Sequence, residues 1–207
     1  NSLHAPTAYT PVTWHVDTSG TDEVVYSNIS ISDGPFESID WVMDHVLEGD
    51  SVIIHPGHYD NGFSNWGKSA HLSGSSGSPD DVWIHEEMEF SGGNSSLHML
   101  SINNDAGNGT DVEDNGGGIF CENGSSPNLV NTILWNNSPQ EIYFSNENES
   151  NAIIIAYSDI SGGLDGIITN ENGTVTWGDG NIDSDPLFED AENGNFDLQI
   201  ESPAINA

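Results

Sequence analysis

An all-β fold of stacked parallel strands, a solenoid, is what this sequence predicts, and three observations predict it. Short apolar runs such as "DVWIH", "GGIFC", "EIYF" and "NAIIIAYSDI" are separated by clusters of Gly, Ser and Asn. These runs are near-continuous rather than strictly alternating, as expected of strands in parallel sheets, and no tight two-residue hairpin joins neighbours cleanly. An internal match sets the period: "SSPNLVNTILWNN" (125–137) lies on "NAIIIAYSDISGG" (151–163), pairing Asn131 with Tyr157 and Asn137 with Gly163, an offset of 26. A unit of that length cannot bury its apolar side alone, so stacking the units makes the core.

The elements follow in order. Residues 1–13 carry two prolines and no periodicity and read as an extended arm; residues 14–207 form one domain. "WHVDTSG" (14–20) reads as a first strand. The one convincing helix lies in "PFESIDWVMDHVLEGD", where Phe36, Ile39, Val42, Met43 and Val46 share a face, Pro35 stands at the entry and Gly49 at the stop. "SVIIHPGHY" (51–59) is a strand broken at Pro-Gly, and the short runs follow it. A sandwich is the alternative architecture.

Composition narrows function. Thirty-four Asp and Glu face a single basic residue, Lys68, giving a formal charge of −33. No basic patch exists to neutralise phosphates or meet an anionic bilayer, so nucleic acid and membrane surfaces are excluded as partners. No run approaches a membrane span. Cations are the natural companions of such a surface. The chain opens on Asn1 without Met or a basic leader, so any signal peptide is expected to have been removed or left out. Cys121 has no partner for an internal disulfide and reads as a small buried hydrophobe. Asn-x-Ser/Thr sequons begin at Asn28, Asn94, Asn108, Asn123, Asn136, Asn148 and Asn172.

Three phrases carry a resemblance. "PFESIDWVMDHVLEGDSVIIHPGHYDN" is similar to the N-terminal cap, and "YSDISGG…GNIDSDPLFEDAENGNFDLQIESPAINA" to the closing segment, of the right-handed parallel β-helix proteins of the pectate-lyase-like superfamily. "GGGIFCENGSSPNLVNTILWNNS" resembles one of their rungs. The resemblance implies a right-handed parallel β-helix with one short N-terminal capping helix, a secreted setting, and "FDLQI" on the final rung. It does not fix an activity, since such folds carry lyases, hydrolases, adhesins and inert surface domains.

The chemistry is weighed residue by residue. A uronate lyase of the resembled kind needs a base, commonly Arg or Lys, and Lys68 in "NWGKSAHL" reads as solvated on a turn, which argues against an enzyme. A hydrolase needs two placed carboxylates, and pairs such as Asp80/Asp81, Glu86/Glu87 and Asp111/Asp114 are too abundant to select one. His55, His58, His71 and His85 read as scattered surface residues. Asp179, Asn181, Asp183 and Asp185 alternate like the oxygen ligands of a calcium loop, although Ser184 replaces the glycine of its sharp turn. Asp105, Asp111 and Asp114, with Asn108 and Glu113, lie on a glycine-rich stretch and are a second candidate Ca²⁺ site. Trp66, beside Gly67, is the candidate sugar-stacking ring, whereas Trp41 reads as packing of the helical cap.

The leading expectation is a non-catalytic extracellular structural or surface protein. It would assemble with copies of itself, the arm covering a neighbour's open solenoid end, because no cap is visible after "SPAINA". The alternatives are a lyase or hydrolase acting on extracellular polysaccharide, and a calcium-dependent carbohydrate-binding or adhesion module. The last predicts exposed aromatics along one face.

Overall fold

A computed structural model describes residues 9–22, 34–102, 117–191 and 195–206. After strand β1 (Thr13–Val16) and helix α1 (Ile39–His45), the chain makes five circuits of three short strands each. The first contains β2 (Ser51–Ile54), β3 (Gly57–Tyr59) and β4 (Phe63–Ser64), and the second β5 (His71–Gly74), β6 (Val82–Ile84) and β7 (Met88–Ser91). The third contains β8 (Ser96–His98), β9 (Ser101–Ile102) and β10 (Ile119–Glu122), and the fourth β11 (Asn128–Val130), β12 (Ile133–Leu134) and β13 (Ile142–Phe144). The fifth holds β14 (Asn151–Ala156), β15 (Asp159–Ile160) and β16 (Ile167–Ile168), and β17 (Gly173–Trp177) opens a sixth. A hairpin of β18 (Phe188–Asp190) and β19 (Asn195–Leu198) follows.

Corresponding strands of successive circuits pair in parallel, giving sheets of seven, five and five strands. The first sheet runs β1-β2-β5-β8-β11-β14-β17, the second gathers β3, β6, β9, β12 and β15, and the third β4, β7, β10, β13 and β16. Among the described residues the fold is all-β with parallel sheets and one α-helix, an order compatible with a solenoid. The offset of 26 is the register between β11 and β14, where Asn128 pairs with Ile154 and Val130 with Ala156. It holds in the second sheet too, where Ile133 pairs with Asp159.

One side chain of each alternating pair points inward. Ile54, Leu72, Leu97, Leu129, Ile155, Phe90, Cys121 and Phe144 belong to one continuous buried cluster enclosed by the three sheets. Within it the Cys121 thiol is pushed up to about 12 by burial, as expected of a small core residue. Corners are closed by amides in place of regular backbone pairing. Asn65 is fully buried; its Nδ2 donates to the carbonyls of Lys68 and Gly92, and its Oδ1 accepts from the N–H groups of Gly67 and Ser91. Asn172 and Asn181 make comparable bonds to backbone carbonyls. Such satisfaction of buried backbone groups explains the asparagine-rich turns.

α1 seats Ile39, Val42 and Met43 on the core, and its N-cap Ser38 accepts from the Trp41 N–H. Trp41 stacks between Phe36 and His45, the cap packing expected of it. Phe36 stands outside the helix because it bridges to Val16 instead. Lys68 is not a solvated turn lysine: its Nζ donates to the Met43 and Asp44 carbonyls at the end of α1, where a cation meets the negative end of the helix. The last residues of the expected arm are tied down by buried Asp50, which accepts from the Tyr9 hydroxyl, the Val12 N–H and the Trp14 Nε1–H. Residues 1–8 lie outside the described residues. No helix among the described residues is long and apolar enough to cross a membrane.

The ending differs from expectation. "FDLQI" does not extend the parallel stack; β18 and β19 pair antiparallel. Phe188 and Phe196 lie on Trp83, with ring centroids 5.0 and 4.3 Å away. An outward tryptophan on β6 supplies an apolar seat that Phe196 reaches only by folding back over the second sheet.

Candidate functional site

The third sheet presents the most organised outward face. Along β7, β10, β13 and β16 the inward residues are Met88, Phe90, Ile119, Cys121, Ile142, Phe144 and Ile167. Strand alternation turns the residues between them outward. The register then aligns Ser64, Glu89, Phe120, Tyr143 and Ile168 in one column. At about 4.8 Å per strand the column runs roughly 19 Å. Phe120 and Tyr143 are half-buried and nearly parallel, 6.1 Å apart at 23°. Trp66 stands at the corner after β4, 66% exposed, with φ of 46° followed by Gly67 at 76°.

Two carboxyls meet on this face. Glu122 on β10 accepts from the Ser91 hydroxyl at 2.7 Å and from Asn123 Nδ2 at 2.6 Å. Glu89 is held above the usual carboxyl range, first by burial and then by the charge of Glu122, with a Ser64 hydroxyl bond opposing and a hydrogen bond to Glu122 adding. Burial and the nearby Glu122 carboxyl both disfavour the charged form of Glu89. The face therefore combines flat apolar rings with two neighbouring carboxyls, one of which accepts from the Ser91 hydroxyl and Asn123 Nδ2.

That geometry suits binding better than cleavage. Glycosidases separate their carboxyls by about 5–5.5 Å or about 6.5–9.5 Å across the scissile bond, whereas these two touch. A lyase base is no better served, because Lys68 is held by two carbonyls at the end of α1.

The sequence-predicted sites fare differently. Asn181 donates to the Ile155 and Gly178 carbonyls, Asp183 accepts from the Gly162 N–H, and Asp185 accepts from the Leu187 N–H. Asp179 is exposed. Asn181 and Asp183 tie this segment to the backbone of the preceding circuit and Asp185 braces its own turn, and no three His, Cys, Asp or Glu among the described residues are grouped to hold a metal ion. Asp105, Asp111 and Asp114 lie outside the described residues, as do the sequons at Asn28 and Asn108. Asn94, Asn136 and Asn148 are exposed. Asn123 is exposed but bonded to Ser91 and Glu122, and the Asn172 amide is committed to the Ser145 and Glu147 carbonyls. Four histidines form two pairs, while His71 meets the Ser96 hydroxyl at 2.8 Å. His15 meets His55 at 3.1 Å and His58 meets His85 at 2.9 Å, because neighbouring circuits bring them together.

Sequence reasoning named Trp66 and missed Glu89, Phe120, Glu122 and Tyr143. The signal for the two rings was present: in "IFC" and "IYF" the middle residue must face opposite to its neighbours. No family model, no curated protein and no solved structure matches the chain.

Proposed function

We propose that this chain is a right-handed parallel β-helix that acts as a secreted, non-catalytic module binding a neutral polysaccharide along the outer face of its third sheet. The observation that carries the reading is the outward column of Glu89, Phe120, Tyr143 and Ile168, with exposed Trp66 at its corner. Aromatic faces stack on the C–H faces of sugar rings, while Glu89, Glu122 and Ser91 offer a donor and acceptors to hydroxyls. A charge of −33 repels polyanions and favours an uncharged chain. Right-handedness follows from the strong preference of parallel crossover connections. The similarity of the N-terminal and closing phrases to pectate-lyase-like β-helices supports the secreted setting.

The test is retention of the purified chain on a panel of immobilised neutral and acidic polysaccharides, in calcium and then in excess chelator. Binding to at least one neutral polymer is expected. Silence across the whole panel would sink the proposal, and binding lost on chelation would make calcium part of it.

A further inference from the structure

The two ends of the stack of circuits are finished differently. At the first, α1 seats Ile39, Val42 and Met43 on the core, and Phe36 bridges to Val16. The Phe36 N–H donates to the His15 carbonyl at 2.9 Å, and the Asp17 N–H donates to the Phe36 carbonyl at 2.8 Å. The outer edge of β1 is therefore partly occupied. Ahead of it, Tyr9 and Val12 are bonded to Asp50, which holds the described part of the arm on its own chain.

At the other end the second sheet is continued by a bridge from Asp159 to Ile182. The first and third sheets stop at β17 and β16, with no further strand paired to either among the described residues. The Asn151 N–H donates to the Asn172 carbonyl, and the Gly178 N–H to the Ile155 carbonyl. Alternation along that ladder turns the N–H and C=O groups of Gly173, Val175 and Trp177 to the outer edge of β17. The core runs out at the same place. Ile153 and Ile155 on β14 are fully buried, whereas Val175 and Trp177, their partners on β17, are only partly buried although packed on the core. Sheet edges are ordinarily guarded by charged side chains. In a chain with 34 acids, neither "GTVTW" of β17 nor "II" of β16 carries one. A second copy, equally acidic, approaches most readily where neither surface places a carboxylate. Because the first end is capped, the open edge of one copy meets the open edge of another, and such a contact is isologous and closed.

We propose that two copies of this chain join end to end, β17 pairing antiparallel with β17 about a two-fold axis at Val175. The pairing satisfies the outer backbone groups of Gly173, Val175 and Trp177 and completes the cover of the Val175 and Trp177 side chains. It sets Thr174 of one copy opposite Thr176 of the other in a non-hydrogen-bonded pair, where side chains stand closest; both threonines are exposed. It also sets Glu171 opposite Asp179 at each end of the ladder, so salt, which screens like charges, is expected to strengthen the dimer. The inference does not rest on the polysaccharide reading, which uses the outward face of the third sheet.

The experiment is sedimentation equilibrium of the intact chain at about 0.15 M and about 1 M salt. A monomer–dimer equilibrium that stops at twice the chain mass and tightens at the higher salt is expected. A Thr174→Glu, Thr176→Glu double variant, which gathers carboxylates about the axis, is expected to weaken the dimer at least 100-fold while leaving the circular dichroism of the fold unchanged. A Thr174→Cys, Thr176→Cys double variant is expected to lock into a covalent dimer on mild oxidation, whereas the wild type, whose Cys121 is buried, stays uncrosslinked. A monomer at both salts would overturn the proposal. So would a mass that keeps growing with concentration, the mark of head-to-tail stacking. A dimer indifferent to the two glutamates, or one that the cysteines fail to lock, would place the contact elsewhere and overturn it too.

Discussion

Truncating both rings of the third sheet, in a Phe120→Ala, Tyr143→Ala double variant, is expected to weaken polysaccharide binding roughly 100-fold. Aromatic anchors at the centre of a binding surface cost about 1–2 kcal/mol or more each when cut to Ala, and each 1.4 kcal/mol is about tenfold. Trp66→Ala alone is expected to give about a tenth of the wild-type affinity, because Trp66 stands at the end of the column rather than within it. The folded state is expected to survive. Phe120 and Tyr143 are half-buried on the outside of the stack and lie outside the continuous core. Phe144→Ala is the informative contrast. Its ring is fully buried inside, so truncation is expected to cost about 3–5 kcal/mol of stability. Surviving folded protein should nevertheless bind. Denaturant midpoints and affinity electrophoresis on the same preparations separate the two effects. Loss of binding in step with stability across all variants would remove the face from consideration.

Stability is expected to rise as the pH falls from 8 to 5, the reverse of ordinary acid unfolding. Burial raises the Glu141 carboxyl from 4.5 to about 7, against opposing hydrogen bonds from Asn137 and Ser161. It likewise raises Asp159 from 3.8 to about 6. A carboxyl whose folded pKa is raised favours folding fully below its unfolded value, and that contribution is lost as the pH climbs through the folded value. The windows are therefore 4.5 to about 7 for Glu141 and 3.8 to about 6 for Asp159. At about 1.4 kcal/mol per unit, Glu141 contributes up to about 3 kcal/mol. Relief of self-repulsion among 34 acids acts in the same direction. Asp50 acts oppositely: although burial works against it, bonds from the Leu47 N–H, Tyr9, Trp14 and the Val12 N–H hold it below 3.8. Its contribution falls away in stronger acid, so the optimum is expected near pH 4–5. Denaturant midpoints for wild type and Glu141→Gln between pH 4.5 and 8.5 check this. The variant should be the more stable of the two at pH 8 and show a shallower slope. A wild type most stable at pH 8 would contradict the assignment.

Much of the fold was legible because local and global signals agree. Asn131 and Tyr157, matched by the repeat, both take positive φ, 51° and 50°, at the same corner of successive circuits. α1 announced itself through Ile39, Val42 and Met43 on one face. The other circuits gave no repeat because their lengths differ: Ser51 pairs with His71, His71 with Ser96 and Ser96 with Asn128. The same variation hid Glu89 and Glu122, whose meeting depends on the exact register across the longest of those circuits. "FDLQI" misled because Phe196 and Leu198 alternate equally well in either strand direction. What decided between them was Trp83, more than a hundred residues earlier. Asp159 was unreadable for a similar reason: "SDI" looks like a strand end, and only the returning closing segment buries it.

Oxidative footprinting of the wild-type chain, with and without a saturating neutral polysaccharide, reads the proposed face without altering a residue. Protection at Trp66, Phe120 and Tyr143 is expected, with Tyr157 on the opposite corner unchanged. Unchanged reactivity at those three rings while the polysaccharide is bound, or protection confined to Tyr157, would place binding elsewhere and contradict the proposed function.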